Sequence, residues 1–145
     1  MKVPQAVSVD EVRRVCDELG IQDWTSLAEP NVPIAEAERI LAVVNVSGMP
    51  IKAETFRQGL EVELEHGTRF PDANVTNNHP LLTGMIVVAH LKESLEYYLR
   101  LDVAEIEGDV LKAIVAKAPE KLQATYKKLT AARRALAEAE AEVLR

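Results

Sequence analysis

Two short segments of this chain each place a histidine and a glutamate three residues apart, in opposite order. Glu63 precedes His66 in the first segment, and His90 precedes Glu93 in the second. Three residues are close to one helical turn, so each pair projects from one face of its helix if the segments are helical. Two facing helices that carry such pairs can offer four ligands to one metal ion, as in helical-bundle carboxylate sites.

Imidazole nitrogen and carboxylate oxygen are natural ligands for iron, manganese or zinc. The spacing therefore predicts one divalent transition-metal ion (Fe, Mn or Zn) between two antiparallel helices, bound by Glu63, His66, His90 and Glu93. The common di-iron pattern differs, because it uses two Glu-x-x-His motifs and two further glutamates. Tyr97 and Arg100 lie close in sequence to the second pair and are expected to orient the ligands.

Two other interpretations of the same residues stay open. In the first, no metal binds, and Glu63 pairs with His90 and Glu93 with His66 in a buried polar network. In the second, His90 is a catalytic base that Glu93 orients, again without a metal. The chain has no nucleophile elbow, phosphate-binding glycine loop or Cys-x-x-Cys motif that would indicate other chemistry. The sequence therefore leaves open whether the protein is an enzyme.

The apolar periodicity predicts an all-α protein of five or six helices, in a single bundle-like or orthogonal domain with a long C-terminal helix. This domain is expected to contain three parts, namely the N-terminal helices at 1–52, the motif helix hairpin at 53–101 and the C-terminal helices at 103–145. Within the hairpin, Gly67 is expected to end the first helix. The second helix is expected to cover about 81–101.

The segments that flank the hairpin helices carry further expectations. Ser8 and Glu11 form a capping box that opens the first helix, and Cys16 on the apolar side of that helix is expected to be a buried structural thiol. Pro33 suits the first turn of a second helix. His79 lies in the polar loop before the second hairpin helix and is expected to be exposed.

The last helix, from Pro119, repeats an apolar residue every seven positions. These residues are Leu122, Leu129, Leu136 and Val143. Thr125, Ala132 and Ala139 form a second seam of small residues, which favours close packing against another helix. We expect the segment 120–145 to make homo-oligomer or protein-partner contacts. The alternative function is accordingly a structural or interaction protein, for example a phage-associated assembly component, in which the His/Glu cluster only stabilises the fold.

Charge and composition exclude several classes of function. The net charge of −6 and the pI of about 5.1 argue against binding to nucleic acid or to an anionic membrane. The longest apolar run, MIVVA, is too short to span a bilayer. One cysteine allows no internal disulfide, which fits a reducing cytoplasm. We expect a cytoplasmic protein.

The middle of the chain contains the segments FRQGLEVELEHG, NVTNNHPLLTG and IVVAHLKESLEYYLRL. Over about 56–101 it resembles a small uncharacterised family of bacteria and phages, of unknown function, with VELEHG and AHLxExxxYY motifs. The resemblance implies that the functional positions are Glu63, Glu65, His66, Asn74, Thr76, His90, Glu93, Tyr97, Tyr98 and Arg100. It thereby adds Glu65 and Asn74 to the residues that surround the four ligands.

The chain departs from this family in the loop and in the following helix. Asn77, Asn78 and His79 stand where acidic residues are expected, and Met85 replaces a lysine. The helix at 33–45 and the heptad tail lie outside the resemblance. Those two parts are expected to serve a partner that is specific to this protein.

Overall fold

Six α-helices and two short 3-10 turns make up the regular structure in the computed structural model, which describes residues 7–145. No β-strand occurs within that range, which confirms the all-α prediction. The helices are α1 (Val9–Leu19), α2 (Ile34–Val44), α3 (Ala53–Arg69), α4 (Pro80–Glu93), α5 (Tyr97–Val115) and α6 (Pro119–Val143). The 3-10 turns are Trp24–Ser26 and Pro71–Ala73.

The chain divides into two compact units, Met1–Lys92 and Glu93–Arg145. We call them the N-terminal unit and the C-terminal unit. The N-terminal unit contains α1 to α4 except for the last residue of α4, and the C-terminal unit contains α5 and α6. That the whole of 1–145 behaves as one domain stays a prediction.

Helix α1 begins at a capped N-terminus. The Ser8 hydroxyl accepts a hydrogen bond from the Glu11 N–H at 3.1 Å, as the capping box predicts. The Glu11 carboxylate instead accepts from Arg14 Nη2 at 2.6 Å, so the capping box is formed on one side only. Cys16 is free and buried, as predicted, and burial raises the pKa of its thiol.

The core of the N-terminal unit is built from large side chains on several of its elements. Trp24, Phe56 and Leu60 have no exposed surface. Helix α4 packs closely against α2 and α3 because Gly84 has no side chain. A Cβ atom at Gly84 would lie 2.8 Å from Ile40 Cγ2 and 3.3 Å from Phe56 Cζ. This close packing fixes the position of α4 beside α3.

Helix α3 does not end at Gly67, so that prediction is wrong. The helix continues to Arg69, and the Phe70 N–H still donates to the His66 carbonyl at 2.9 Å. A glycine often ends a helix. Gly67 instead lies inside α3, and because it has no side chain the following loop can pack against the helix there. A Cβ atom at Gly67 would lie 2.8 Å from Asn74 Nδ2 and would overlap Asn78 Oδ1.

The single helix predicted over about 81–101 is also wrong, because α4 ends at Glu93 and α5 begins at Tyr97. The Ser94 hydroxyl accepts from the Glu96 N–H at 3.2 Å and donates to the Glu96 carboxylate at 2.7 Å. Such local bonds from a serine side chain compete with the helical pattern. The helix expected from about 103 therefore begins earlier, at Tyr97.

The C-terminal unit is an α5–α6 hairpin with a narrow seam. Its buried residues are Tyr98, Ala113, Thr125, Leu129 and Ala132, three of them at the predicted heptad and small-residue positions of α6. The apolar spacing in the segment 103–117 predicts that Leu111 and Ile114 face inward. They are 62% and 54% exposed, so that expectation is wrong.

Within residues 7–145, no helix combines the length and the apolar character that crossing a bilayer requires.

Candidate functional site

Helices α3 and α4 bring Glu63 and His90 into contact. The distance from His90 Nδ1 to Glu63 Oε1 is 3.1 Å. The Glu63 side chain is 13% exposed and the His90 side chain 29% exposed, so the pair lies near the surface but is mostly covered. Burial of a carboxylate is tolerated when a hydrogen-bonding partner of this kind is present. This contact joins one residue from each of the two motifs that the spacing singled out.

The other motif residue on α3, His66, lies on the second oxygen of the same carboxylate. His66 Nδ1 is 3.9 Å from Glu63 Oε2, and the His66 side chain is 64% exposed. The Glu63 carboxylate therefore lies between two imidazoles, one on each oxygen. Across residues 7–145, no group of three or more His, Cys, Asp or Glu side chains is arranged to hold a metal ion.

A pocket of about 300 Å³ opens beside Glu63. Its walls come from α3, from the loop with its 3-10 turn, and from α4. The lining residues are Glu63, His66, Gly67, Phe70, Ala73, Asn74, Val75, Thr76, Thr83 and Ile86. Among residues 7–145, no lysine or arginine lines this pocket. The pocket therefore combines one carboxylate and one imidazole with the polar side chains of Asn74 and Thr76 and with apolar walls.

The loop wall of the pocket is held by asparagine side chains. Asn74 Nδ2 donates to Asn78 Oδ1 at 2.9 Å and lies 3.5 Å from the Gly67 carbonyl oxygen. Asn77 and Asn78 adopt left-handed backbone conformations, with φ of 51° and 58°. Asparagine is one of the few residues with a side chain that adopts this region readily. The two asparagines that replace the expected acids thus shape the loop.

His79 is buried and caps α4, so the expectation that it is exposed is wrong. Its exposed fraction is 7%. The His79 carbonyl accepts from the Thr83 N–H at 2.9 Å, and Nδ1 accepts from the Leu82 N–H at 3.3 Å. Burial lowers the pKa of His79, and the Glu11 carboxylate, 4.0 Å from Nε2, opposes this shift. The third histidine therefore has a structural role at a helix N-terminus.

The remaining predicted site residues lie elsewhere on their elements. Glu65 forms an ion pair with Arg69 on an exposed part of α3. Glu93 is the last residue of α4 and is exposed, although we expected it to be buried with His90. Tyr97 contacts Tyr98 edge-to-face, with ring centroids 5.2 Å apart. Arg100 Nη2 lies 2.7 Å from Glu140 Oε1 within the C-terminal unit.

Thr83 is the pocket residue that sequence reasoning missed. It is 2% exposed, and its Oγ1 is a buried side-chain atom with no hydrogen-bond partner within the described residues. Buried hydroxyl groups almost always have a partner. A threonine on the apolar first half of α4 was the available signal, because its hydroxyl needs a partner wherever that helix is buried.

Comparison with known proteins gives a family without an assigned activity. The family described as "Protein of unknown function (DUF5661)" matches residues 12–107. The match extends beyond the motif segment of 56–101 in both directions and includes α2, which we had placed outside the resemblance. No curated protein and no solved structure matches the chain. Since the matched residues make up well over half of the sequence, the chain belongs to the DUF5661 family.

Proposed function

We propose that the N-terminal unit binds one divalent transition-metal ion through Glu63, His66 and His90. The observation that carries this proposal is the position of the Glu63 carboxylate between two imidazoles, which lie 3.1 Å and 3.9 Å from its two oxygens. Two histidines and one carboxylate are a recurrent ligand set for iron and zinc.

The Glu63–His90 distance is compatible with a shared ion. Donor atoms that bind one zinc, iron or manganese ion at about 2.1 Å lie roughly 3.0–3.4 Å from each other in octahedral or tetrahedral geometry. Glu63 Oε1 and His90 Nδ1 are 3.1 Å apart. These two atoms can therefore bind one ion with little movement of either side chain.

His66 completes the set by a side-chain rotation. Its Nδ1 lies 3.9 Å from Glu63 Oε2, somewhat beyond the spacing of two ligands on one ion. Because the His66 side chain is 64% exposed, it can change rotamer without disturbing packed neighbours. Metal binding then requires His66 to turn toward Glu63, which explains why no three-ligand group is formed beforehand.

Three protein ligands leave coordination positions open on the pocket side. Glu63 and His66 both line the pocket, so an ion held by them faces it. A metal ion with an open position can polarise a bound ligand or activate water. Glu93, which the sequence predicted as a fourth ligand, is exposed at the end of α4 and is not part of the proposed set.

The test is metal analysis of the full chain purified without chelators. We expect near-stoichiometric zinc, iron or manganese by ICP-MS, or micromolar Zn²⁺ or Mn²⁺ binding by calorimetry. His90→Ala and Glu63→Gln should each weaken binding by tenfold or more. His79→Asn is the matched control, because the third histidine caps α4 and does not contact Glu63.

Two outcomes contradict the metal site. One is the absence of bound metal together with no uptake on titration. The other is metal binding that His90→Ala and Glu63→Gln leave unchanged while His79→Asn abolishes it. In the first case the Glu63–His90 contact is the hydrogen-bonded structural pair that the metal-free interpretation describes.

An apolar surface of the C-terminal unit favours a second candidate function, self-association. A groove of about 500 Å³ is lined by Val110, Ile114, Pro119, Leu122, Gln123, Tyr126 and Lys127. Ile114 and Tyr126 are 54% and 57% exposed. Since the groove and the side chains that would fill it lie on the same hairpin, a second copy of the chain can cover both surfaces symmetrically. We propose such a dimer through α5 and α6.

This dimer is tested by the mass in solution. Light scattering after gel filtration should give twice the chain mass of 16.0 kDa at micromolar concentration. Ile114→Gln should shift the protein to the monomer, because it places a polar group in the apolar contact. Ala135→Gln, at an exposed position of α6, is the control and should leave the dimer unchanged. A monomer at all concentrations contradicts the proposal.

A further inference from the structure

The pocket between α3, the loop and α4 presents one acidic side chain to whatever it binds. Glu63 is the acidic residue of its lining, and within the described part of the chain that lining includes no lysine or arginine. The Glu63 side chain keeps 13% of its surface exposed and borders the pocket. A molecule in the pocket can therefore contact the carboxylate directly.

The two oxygens of this carboxylate have different surroundings. Oε1 lies 3.1 Å from Nδ1 of His90, which is not one of the pocket residues. Oε2 lies 3.9 Å from Nδ1 of His66, which is a pocket residue. Oε2 is therefore the oxygen on the pocket side. Since a carboxylate oxygen accepts more than one hydrogen bond, Oε2 can accept one from a bound molecule while Oε1 keeps its contact with His90.

The charge at this end of the pocket favours a cation. The Glu63 carboxylate between two neutral imidazoles has a net charge of −1. It repels a negatively charged molecule and attracts a positively charged nitrogen, and the attraction is stronger where the site is partly removed from water. The net charge of the whole chain, −6, also attracts cations to its surface. One carboxylate in the lining matches one positive charge on the bound molecule.

Apolar side chains determine what the rest of the bound molecule is. Phe70, Val75 and Ile86 line the pocket, and Phe70 and Val75 are 53% and 80% exposed. An apolar body in the pocket would cover part of this surface, and burial of apolar surface stabilises a complex. The volume of about 300 Å³ equals about ten water volumes, so a compact body of about ten non-hydrogen atoms fits.

We propose that the pocket binds a small organic amine in its protonated form, with one ammonium group and a compact apolar body. The ammonium group donates a hydrogen bond to Oε2 of Glu63, and the apolar body contacts Phe70 and Val75. This site requires no metal ion, and it stands or falls independently of the proposed metal site. Because both sites use the Glu63 carboxylate, a metal ion and the amine exclude each other.

The experiment compares two probe molecules on the full chain in the presence of a chelator. Benzylamine and benzyl alcohol have the same number of non-hydrogen atoms, and only benzylamine is positively charged at neutral pH. NMR chemical-shift titration of the isotope-labelled chain measures both affinities and locates the binding site. Benzylamine should bind about tenfold more tightly than benzyl alcohol, which is the gain from a hydrogen bond to a charged group. The shifted signals should include those of Gly67 and Asn74, which line the pocket.

Two substitutions of carboxylates test the role of Glu63. Glu63→Gln keeps the shape of the side chain and removes its charge, so benzylamine should bind the variant only as tightly as benzyl alcohol does. The affinity for benzyl alcohol should not change. Asp72→Asn is the matched control, because Asp72 is an exposed carboxylate of the 3-10 turn Pro71–Ala73 and does not line the pocket. It should leave both affinities unchanged.

A third substitution tests the pocket without altering the Glu63–His90 contact. Ala73 lines the pocket from an exposed position of the 3-10 turn. Ala73→Phe should occupy part of the volume and weaken the binding of both probes by tenfold or more, because it replaces the space that the apolar body needs. The midpoint of thermal unfolding should stay unchanged, since the new ring lies at the surface.

Several outcomes overturn this inference. They are equal affinity for the two probes, chemical-shift changes that avoid the pocket residues, a preference for benzylamine that survives in Glu63→Gln, and unchanged binding in Ala73→Phe. A loss of the preference in Asp72→Asn as large as in Glu63→Gln also overturns it, because the attraction would then be to the acidic surface in general. Since the chelator removes metal ions, these results do not depend on metal binding, and metal analysis of the chain does not depend on them.

Discussion

The two units of this chain use different means of packing. In the N-terminal unit, bulky side chains such as Trp24, Phe56 and Leu60 are completely buried. The C-terminal unit buries small or medium residues along one seam, with Ala113 and Ala132 facing the interior of the hairpin. The largest fully buried side chains of the described range all belong to the N-terminal unit.

This difference explains where a binding site can form. A pocket and a partly covered carboxylate require walls that hold their positions, which a core of large interlocking side chains provides. A two-helix hairpin buries too little to enclose a site, and it leaves apolar residues such as Leu111 and Val115 on its surface. The family match covers 12–107, so it includes most of the N-terminal unit and extends into α5 of the C-terminal unit.

Truncation of one buried leucine in each unit should give the largest effect and test this contrast directly. Leu60→Ala should lower the free energy of unfolding by about 3 kcal/mol, because the surrounding core cannot close the cavity. Leu129→Ala should lower it by about 2 kcal/mol or less, because the hairpin can relax. Urea unfolding of the full chain measures both. Equal losses would contradict the contrast.

Substitution of one helical glycine in each unit should change the free energy of unfolding in opposite directions in the two units. Gly67→Ala should destabilise the protein by about 2 kcal/mol, because the new methyl group displaces the Asn74–Asn78 pair. Gly108→Ala has open space around its Cβ position and should stabilise by up to about 1 kcal/mol through helix propensity. Thermal unfolding measures both shifts. A gain for Gly67→Ala would contradict the described role of the loop.

The pH dependence of stability should give the smallest effect. Burial lowers the pKa of His79 below the ordinary value of about 6.5. The unfolded chain therefore takes up a proton before the folded protein does, so this contribution is complete above about pH 6.5 and is lost as the pH falls through the lower folded pKa. Protonation also removes the Nδ1 acceptor that caps α4, an effect of about 1 kcal/mol or less.

His79→Asn isolates this contribution, because asparagine keeps a capping oxygen and does not titrate. Between about pH 7.5 and 5.5, the variant should lose less unfolding free energy than the parent protein. Urea unfolding at the two pH values measures the difference. An equal loss in both proteins would show that His79 does not titrate differently in the folded and unfolded states.

Local patterns in the sequence identified most of the helices. Ser8 and Gly20 mark the ends of α1, and Pro119 marks the start of α6. The helical spacing of Glu63 and His90 on separate amphipathic segments also indicated that the two would meet. The contact at 3.1 Å is the pairing that the metal and polar-network interpretations share.

The wrong predictions concern residue types that are common in more than one local structure. A glycine such as Gly67 is common both at a helix end and where another segment packs closely against a helix. Only the position of Asn78 in the folded chain shows that the second case applies. Ser94 is compatible with a helix interior until its hydroxyl bonds to the Glu96 backbone. His79 before a proline reads as an exposed loop residue, yet it caps a buried helix end.

The sequence by itself determined the helical class, the one-turn spacing within each His/Glu motif and the negative net charge, because periodicity, spacing and composition are properties of the chain alone. The tertiary structure alone decided that Glu63 lies between His66 and His90, and that Thr83, a residue of the pocket wall, has a buried hydroxyl. The physical reason is that burial and hydrogen-bond satisfaction depend on residues from other elements. The spacing of residues within one helix does not specify them.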